Sequence, residues 1–495
     1  MNRRIRTVAL VALVCFAILG LQLANLQVRQ ANALRKSADN PSPGTVDPFE
    51  QNRGDILSSD GIVLAYSTKT NDGYRYLRHY PEGSLFAGIT GYWDITASAA
   101  PYGLDAETGQ YNQFLEPHTP SITNLQSILT QRSGSDSLVT TVSVHLQKVA
   151  QQALGSYTGS VVAIDPRTGA VLAMYSSPTY NPNGLSQPNA KAASAYYSSL
   201  NPNSGTSPLV NGAVGARYPP GSTFKVVTTA TIFDHEPSLE SIKVPYASSI
   251  TLPETNLRFH NFADESCGGN LARDLALSCD TAYAEIGLRL GATKLYQEAS
   301  AFGFNKVPPI DLPPGTAVAS VFPPPSTFVQ NKPGVAYSAI GQEDVAETTL
   351  QDALIAAGIA DGGTVMTPHL LSRVLDTQGS VVATYKPHPW VQATSKATAD
   401  SVRSLMLGVT QYGTAAGVGW PAGIQVAAKT GTAEVGGNPC TDDWLIATAP
   451  AGAGQTPKVA VAAVVVQPPG QCDGTGAAVA GPVVRQVLDA ALGYP

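Results

Sequence analysis

Histidine is sparse in this chain of 495 residues, seven in all, and no H-E-x-x-H pair occurs, so a metal hydrolase is disfavoured. A G-x-S-x-G elbow and a phosphate-cradling glycine loop are missing too, which removes the usual esterase and nucleotide-binding readings. There is no basic excess: 30 Lys and Arg stand against 36 Asp and Glu, a net charge of −6. With no basic stripe to neutralise phosphates, no nucleic-acid partner is expected. The five cysteines include no C-x-x-C spacing and have no paired histidines beside them, so neither a metal nor a cofactor is expected. Internal repeats and low-complexity domains are also lacking, and the length leaves room for two or three ordinary domains.

What is present begins at the N-terminus. Arg3, Arg4 and Arg6 precede an uncharged run from Thr7 to Val28, long enough for a bilayer, which takes about 20 residues. Residues 1–6 read as a cytoplasmic stub and 7–28 as an uncleaved transmembrane anchor, with everything beyond exported. Ala31-Asn32-Ala33 keeps a cleaved signal peptide as the alternative. Export puts Cys267, Cys279, Cys440 and Cys472 in a disulfide-permissive setting. Three pairings are open. Nearness in sequence favours Cys267 with Cys279 and Cys440 with Cys472, and four free buried thiols are the alternative.

Residues 29–52, polar and then rich in Pro, Asp, Asn and Ser, read as a linker. In 53–137, Arg53–Leu57 and Ile62–Ala65 flank Ser58-Ser59-Asp60-Gly61, a hairpin by its Asp-Gly turn. This region reads as a small, mostly β module for docking or positioning. From 138 to the end the pattern is more regular. It predicts a helix over 141–154, a hairpin of 160–165 with 170–175, helices over 281–290, 348–360 and 396–409, strands over 423–432, 444–449 and 458–466, and a helix over 483–492. That order implies an α+β fold, an antiparallel sheet flanked by helices with a helical lobe inserted between its strands.

The rest is organised around Tyr218-Pro219-Pro220-Gly221-Ser222-Thr223-Phe224-Lys225. Two prolines and a glycine end what precedes them, and the breaker-free run that follows predicts a helix starting at Ser222. The serine then sits among unpaired N–H groups at the positive end of a helix, with Lys225 on the same face. An amine kept neutral by burial or a second cation can take the serine proton. Ser278-Cys279-Asp280 opens another helical run and can point a hydroxyl and a polar group into one cleft; an ordinary N-cap uses the same residues. Lys429-Thr430-Gly431-Thr432 ends an alternating strand. Gly431 would let a ligand backbone lie against it, and Lys429, Thr430 and Thr432 could meet a carboxylate at the strand edge.

Serine with lysine one turn on, Ser-x-polar, then Lys-Thr-Gly, in that order, resembles the penicillin-binding and serine β-lactamase superfamily. Arg53-Gly54, Asp60-Gly61 and Leu64-Ala65 resemble the pedestal signature of class B penicillin-binding proteins. Leu138 to Asn183 and Ile340-Gly341-Gln342 through Gly362-Gly363 resemble that class's transpeptidase domain, and the likeness is to the actinobacterial penicillin-binding protein A group. The resemblance implies a five-stranded sheet in 138–495 and a dimerisation-like pedestal in 53–137. It also implies a D,D-transpeptidase that cross-links peptidoglycan stem peptides and is acylated by β-lactams. Ser222 would be acylated by a D-Ala-D-Ala end, Lys225 would be its base and Ser278 would pass a proton to the departing D-Ala. Lys429 would tune that relay, Thr430 and Thr432 would hold the substrate carboxylate, and backbone N–H groups of Ser222 and Thr432 would form the oxyanion hole. An amine acceptor from a neighbouring stem, and partners from a division or elongation complex, would follow.

Asp280 departs from the pattern, where such proteins usually carry asparagine. A carboxylate near Lys225 favours the ammonium form, by about 4 kcal/mol at 4 Å and an effective dielectric of 20. The expectation is slower acylation, or an activity maximum at higher pH, than in Asp280→Asn. The anchor and the module before residue 138 favour a transpeptidase over a secreted β-lactamase. A D,D-carboxypeptidase, or a non-catalytic penicillin-binding scaffold weakened by Asp280, are the alternatives.

Overall fold

The computed structural model describes residues 52–71, 76–93, 103–117, 134–256, 258–436, 440–468, 472 and 474–494, with positions 7, 10, 13–19, 22 and 25 of the N-terminal run. The stub, half of the expected anchor and residues 29–51 of the linker lie outside these. Positions 7, 10, 13–19 and 22 are helical. Among the described residues no helix is long and apolar enough to cross a membrane.

Strands β1 (Ile56–Leu57) and β2 (Val63–Lys69) form the expected antiparallel hairpin. Ser58 Oγ accepts from Ile62 N–H at 2.9 Å inside the turn, and Gly61 has φ +78°, which its missing side chain permits. β3 (Tyr76–His79) extends the hairpin, and β4 (Ser137–Thr140) lies parallel to β1. Helix α1 (Val144–Leu154) is capped by Ser143, whose side chain accepts from Leu146 N–H. The hairpin of β5 (Thr158–Ile164) and β6 (Val171–Ser177) follows. A lobe carries helices α2 (Lys225–His235), α3 (Leu271–Ala276), α4 (Asp280–Leu290) and α5 (Thr349–Ala360). β7 (Leu371–Leu375), β8 (Val381–Thr384) and α6 (Lys396–Gln411) come next. The chain closes with β9 (Ala427–Glu434), β10 (Thr441–Ala449), β11 (Val459–Val466) and α7 (Ala480–Leu492).

The main sheet has the order β9-β10-β11-β5-β6, antiparallel throughout. Burial explains its sequence. β11 reads VAVAAVVV and hides seven of its eight residues, a continuous pattern that requires cover on both faces. α5 covers it from the lobe and is buried along its whole length; α7, paired with α1, also packs on it.

A second sheet reaches beyond the β module expected over 53–137. Its order is β8-β7-β4-β1-β2-β3, so two strands from the later part of the chain complete the sheet of the first module. The boundary expected between residues 137 and 138 falls inside β4.

The interior carries carboxyl groups that burial holds above their ordinary values: Glu298 at about 8, Asp442 at about 7, Asp274 and Asp443 at about 6, and Asp352 raised as well beside Glu347. A raised carboxyl stabilises the fold fully below its unfolded value, and that stability is lost as pH rises through the folded one. Two imidazoles with depressed values, His79 and His369, and the buried amines Lys225 and Lys429, also depressed, act in the opposite sense. Five carboxyls outweigh them, so the thermal unfolding midpoint is expected to be higher at pH 5 than at pH 7. Differential scanning calorimetry across that interval checks it; a midpoint rising with pH would contradict it.

Candidate active site

The turn carrying Ser222 rests against β9. Gly221 has φ +56°, which favours glycine, and a Cβ there would crowd Thr432 O at 3.1 Å. Residues Gly221–Phe224 form a 3-10 turn, and the α-helix starts at Lys225. Ser222 therefore sits in a tighter turn just before α2, a correction to the expected start. Three clamps fix the turn. Gly221 N–H donates to Gly341 O at 2.9 Å, and Trp444 Nε1 donates to Pro219 O at 2.9 Å. Tyr218 and Glu347 exchange backbone hydrogen bonds, both 2.9 Å.

Lys225 is fully buried, and its Nζ reaches three acceptors: Asp280 Oδ1 at 2.6 Å, Ser278 O at 2.8 Å and Ser278 Oγ at 3.3 Å. The Ser222 hydroxyl reaches the same Asp280 Oδ1 at 3.5 Å. A single carboxylate oxygen thus links hydroxyl and amine. From the strand side Lys429, also fully buried, donates to Ser278 Oγ at 2.8 Å and to Thr430 O at 2.9 Å. Ser278 Oγ lies between two amines.

Burial pulls Lys225 below its ordinary value, while Asp280 pulls it back up. The sequence named both effects, burial keeping the amine neutral and Asp280 favouring its charge; desolvation wins because no face of the amine meets water. Lys429 is pushed well below its usual range, first by burial and then by the neighbouring charge of Lys225. Both amines are thereby biased towards the neutral, proton-accepting form.

Ser278 has φ +57°, a left-handed conformation that costs a side-chain-bearing residue about 1–2 kcal/mol. Its neighbours hold it there. Cys279 N–H donates to Asp274 O at 2.8 Å, and Cys279 is bonded to Cys267. Cys440 is bonded to Cys472, so both pairings suggested by sequence proximity are present and free thiols at these four positions are not.

Along β9, Gly431 has a different neighbour from the one expected. A Cβ there would stand 2.7 Å from Pro220 O and 2.9 Å from Trp444 Cβ, so the missing side chain admits the Ser222 turn. Thr430 and Thr432 face away from that turn. Thr430 Oγ1 is 2.6 Å from Thr414 Oγ1, and Thr432 Oγ1 accepts from Gly476 N–H at 3.1 Å. β9 is an edge strand, so an extended ligand can add to it. Thr414, Trp444, Gly476 and Glu347 carried no motif signal; each reaches the site by packing between distant segments. Among the described residues no cluster of His, Cys, Asp and Glu could hold a metal ion.

A nucleophile-bearing turn, two buried lysines sharing a second serine, and an edge strand on a five-stranded antiparallel sheet define a penicillin-binding type of cleft. The chain belongs to the penicillin-binding protein transpeptidase family: residues 159–489 match its transpeptidase domain, and residues 53–137 match the penicillin binding protein A dimerisation domain. Among curated relatives, peptidoglycan D,D-transpeptidase PbpA of Mycolicibacterium smegmatis is 35% identical over 506 residues, covering 99% of each chain. Its namesake from Mycobacterium tuberculosis is 33% identical, also over 99% of each. Among solved structures, penicillin-binding protein A from M. tuberculosis as an imipenem acyl-enzyme complex superposes with a TM-score of 0.79. It is 33% identical and covers 90% of this chain and 100% of that one. The penicillin G acyl-enzyme complex gives 0.77 at 32%, covering 89% and 100%.

Proposed function

We propose that this protein is a peptidoglycan D,D-transpeptidase whose acyl-enzyme forms on Ser222 and which β-lactams acylate at the same oxygen. The observation that carries the reading is the convergence of Ser222, Lys225, Ser278 and Lys429 around hydrogen bonds of 2.6–3.5 Å. Ser222 Oγ attacks the carbonyl of the penultimate D-Ala and gives its proton to neutral Lys225. Ser278, between the two amines, delivers a proton to the nitrogen of the departing D-Ala. The amine of a neighbouring stem then attacks the ester, the cross-link forms and Ser222 regains its proton. Lys429, donating to Ser278 Oγ, tunes that relay, the edge of β9 with Thr430 and Thr432 receives the substrate chain and its carboxylate, and the N–H groups of Ser222 and Thr432 face the oxyanion. The run 7–28 anchors the chain with 53–495 outside the membrane, as a pedestal over 53–137 and a transpeptidase domain over 138–495. Docking to division or elongation proteins fits the pedestal.

Incubating the protein with a D-Ala-D-Ala stem peptide and an amine acceptor, followed by mass spectrometry, tests the reading. A cross-linked product with one D-Ala released per bond is expected. Release of D-Ala with water as the sole acceptor would make the enzyme a carboxypeptidase. Asp280 pulls Lys225 back towards its charged form, the one feature that favours a slow enzyme or scaffold, and no D-Ala release at any pH would decide for the scaffold.

A further inference from the structure

Two acids that the proposed chemistry does not use lie beneath the Ser222 turn. Glu347 and Asp352 are both fully buried, and the groups acting on them are each other and the Thr223 hydroxyl. Among the described residues no cation compensates either. Glu347 Oε2 and both oxygens of Asp352 have no conventional donor. Two buried acids that act on one another, with no cation to compensate them, are held above their ordinary values by burial, which keeps a proton on the pair. Their link to the nucleophile is short. Glu347 Oε1 is 3.5 Å from Thr223 Oγ1, next in sequence to Ser222, and Glu347 is also the backbone partner of Tyr218 at the head of the turn.

We propose that Glu347 and Asp352 form a proton-sharing carboxyl pair that positions the Ser222 hydroxyl through Thr223. The Thr223 hydroxyl has one proton, and two acceptors compete for it: Pro220 O at 3.1 Å and Glu347 Oε1 at 3.5 Å. While the pair is protonated, Glu347 donates to Thr223, whose own proton closes the turn on Pro220 O. When the pair ionises, the carboxylate draws that proton away and releases the Pro220 carbonyl, loosening the turn. Other charged groups are placed elsewhere. Tyr218 brings a phenol whose proton burial retains more tightly than usual, and Lys225 is committed to Asp280 and Ser278.

The inference rests on Ser222 as the nucleophile, which a Ser222→Ala variant that still reacts covalently with penicillin would remove by itself. The test is the second-order rate of acylation by a fluorescent penicillin between pH 6.5 and pH 9.5. It compares the unaltered protein, a Glu347→Gln/Asp352→Asn double variant and Thr223→Val. The unaltered protein is expected to lose rate on the alkaline side, and both variants are expected to lose that limb, so that the ratio of rates at pH 9.5 and pH 7 rises about threefold or more. Merely weakened folding would lower all rates together and leave the ratio alone. A limb that persists unchanged in the variants belongs to Lys429 and overturns the proposal, as does its absence from the unaltered protein. Should the double variant fail to fold, Thr223→Val alone decides.

Discussion

Lys225→Ala is expected to slow acylation by a β-lactam about a thousandfold, within the range of ~10²–10⁴ that a positioned general base contributes, and Ser222→Ala to abolish covalent labelling. The reason lies in the environment of the amine. It has no exposed surface, so burial favours its neutral form, and it is the buried base linked to the Ser222 oxygen through Asp280 Oδ1. Lys429 cannot replace it, because its Nζ is held by Ser278 Oγ and Thr430 O on the other side. Stopped-flow acylation with a chromogenic cephalosporin measures the loss. A Lys225→Ala protein within tenfold of the unaltered rate would remove the lysine from the proton path.

Asp280→Asn is expected to act in the opposite direction, raising the acylation rate at pH 7 by about tenfold, since each tenfold gain in neutral amine is worth a tenfold gain in rate. Asp280 raises Lys225 against the larger effect of burial. The amide keeps an oxygen to accept from Lys225 and removes the charge, so Lys225 falls further and the acidic limb of the rate profile moves to lower pH. Asp280→Ala would behave differently, because it removes the one oxygen that links the Lys225 amine to the Ser222 hydroxyl and leaves a buried hydrogen bond unmade. Its unfolding midpoint should drop along with its rate. Superimposable pH profiles for the natural protein and Asp280→Asn would show that this carboxylate does not govern the base.

Much of this was legible because it is local. The Tyr218–Lys225 stretch, the serine at 278 and the Lys-Thr-Gly strand carry their chemistry in three or four consecutive residues, and the strands of the main sheet announce themselves by long apolar runs such as VAVAAVVV. The missed features depend on pairing across long separations. Leu371–Leu375 is a five-residue strand whose partner, Ser137–Thr140, lies more than 200 residues earlier, so neither segment alone indicates a shared sheet. Asp352 stands in a helix otherwise rich in Leu, Ile and Ala, and nothing in that helix names Glu347 as its partner. The sign of the Lys225 shift also lay beyond the sequence, because spacing showed the nearby carboxylate but not the dry surroundings that outweigh it.

The six-stranded sheet changes what can be cut from this molecule. A chain started at residue 138 would lose β1, β2, β3 and the first residue of β4, and the freed flank of the β4 remnant would offer unpaired amides and carbonyls to any passing chain. Such a fragment should cluster through that raw margin even with every residue of the cleft intact, whereas one begun at Arg53 keeps it covered.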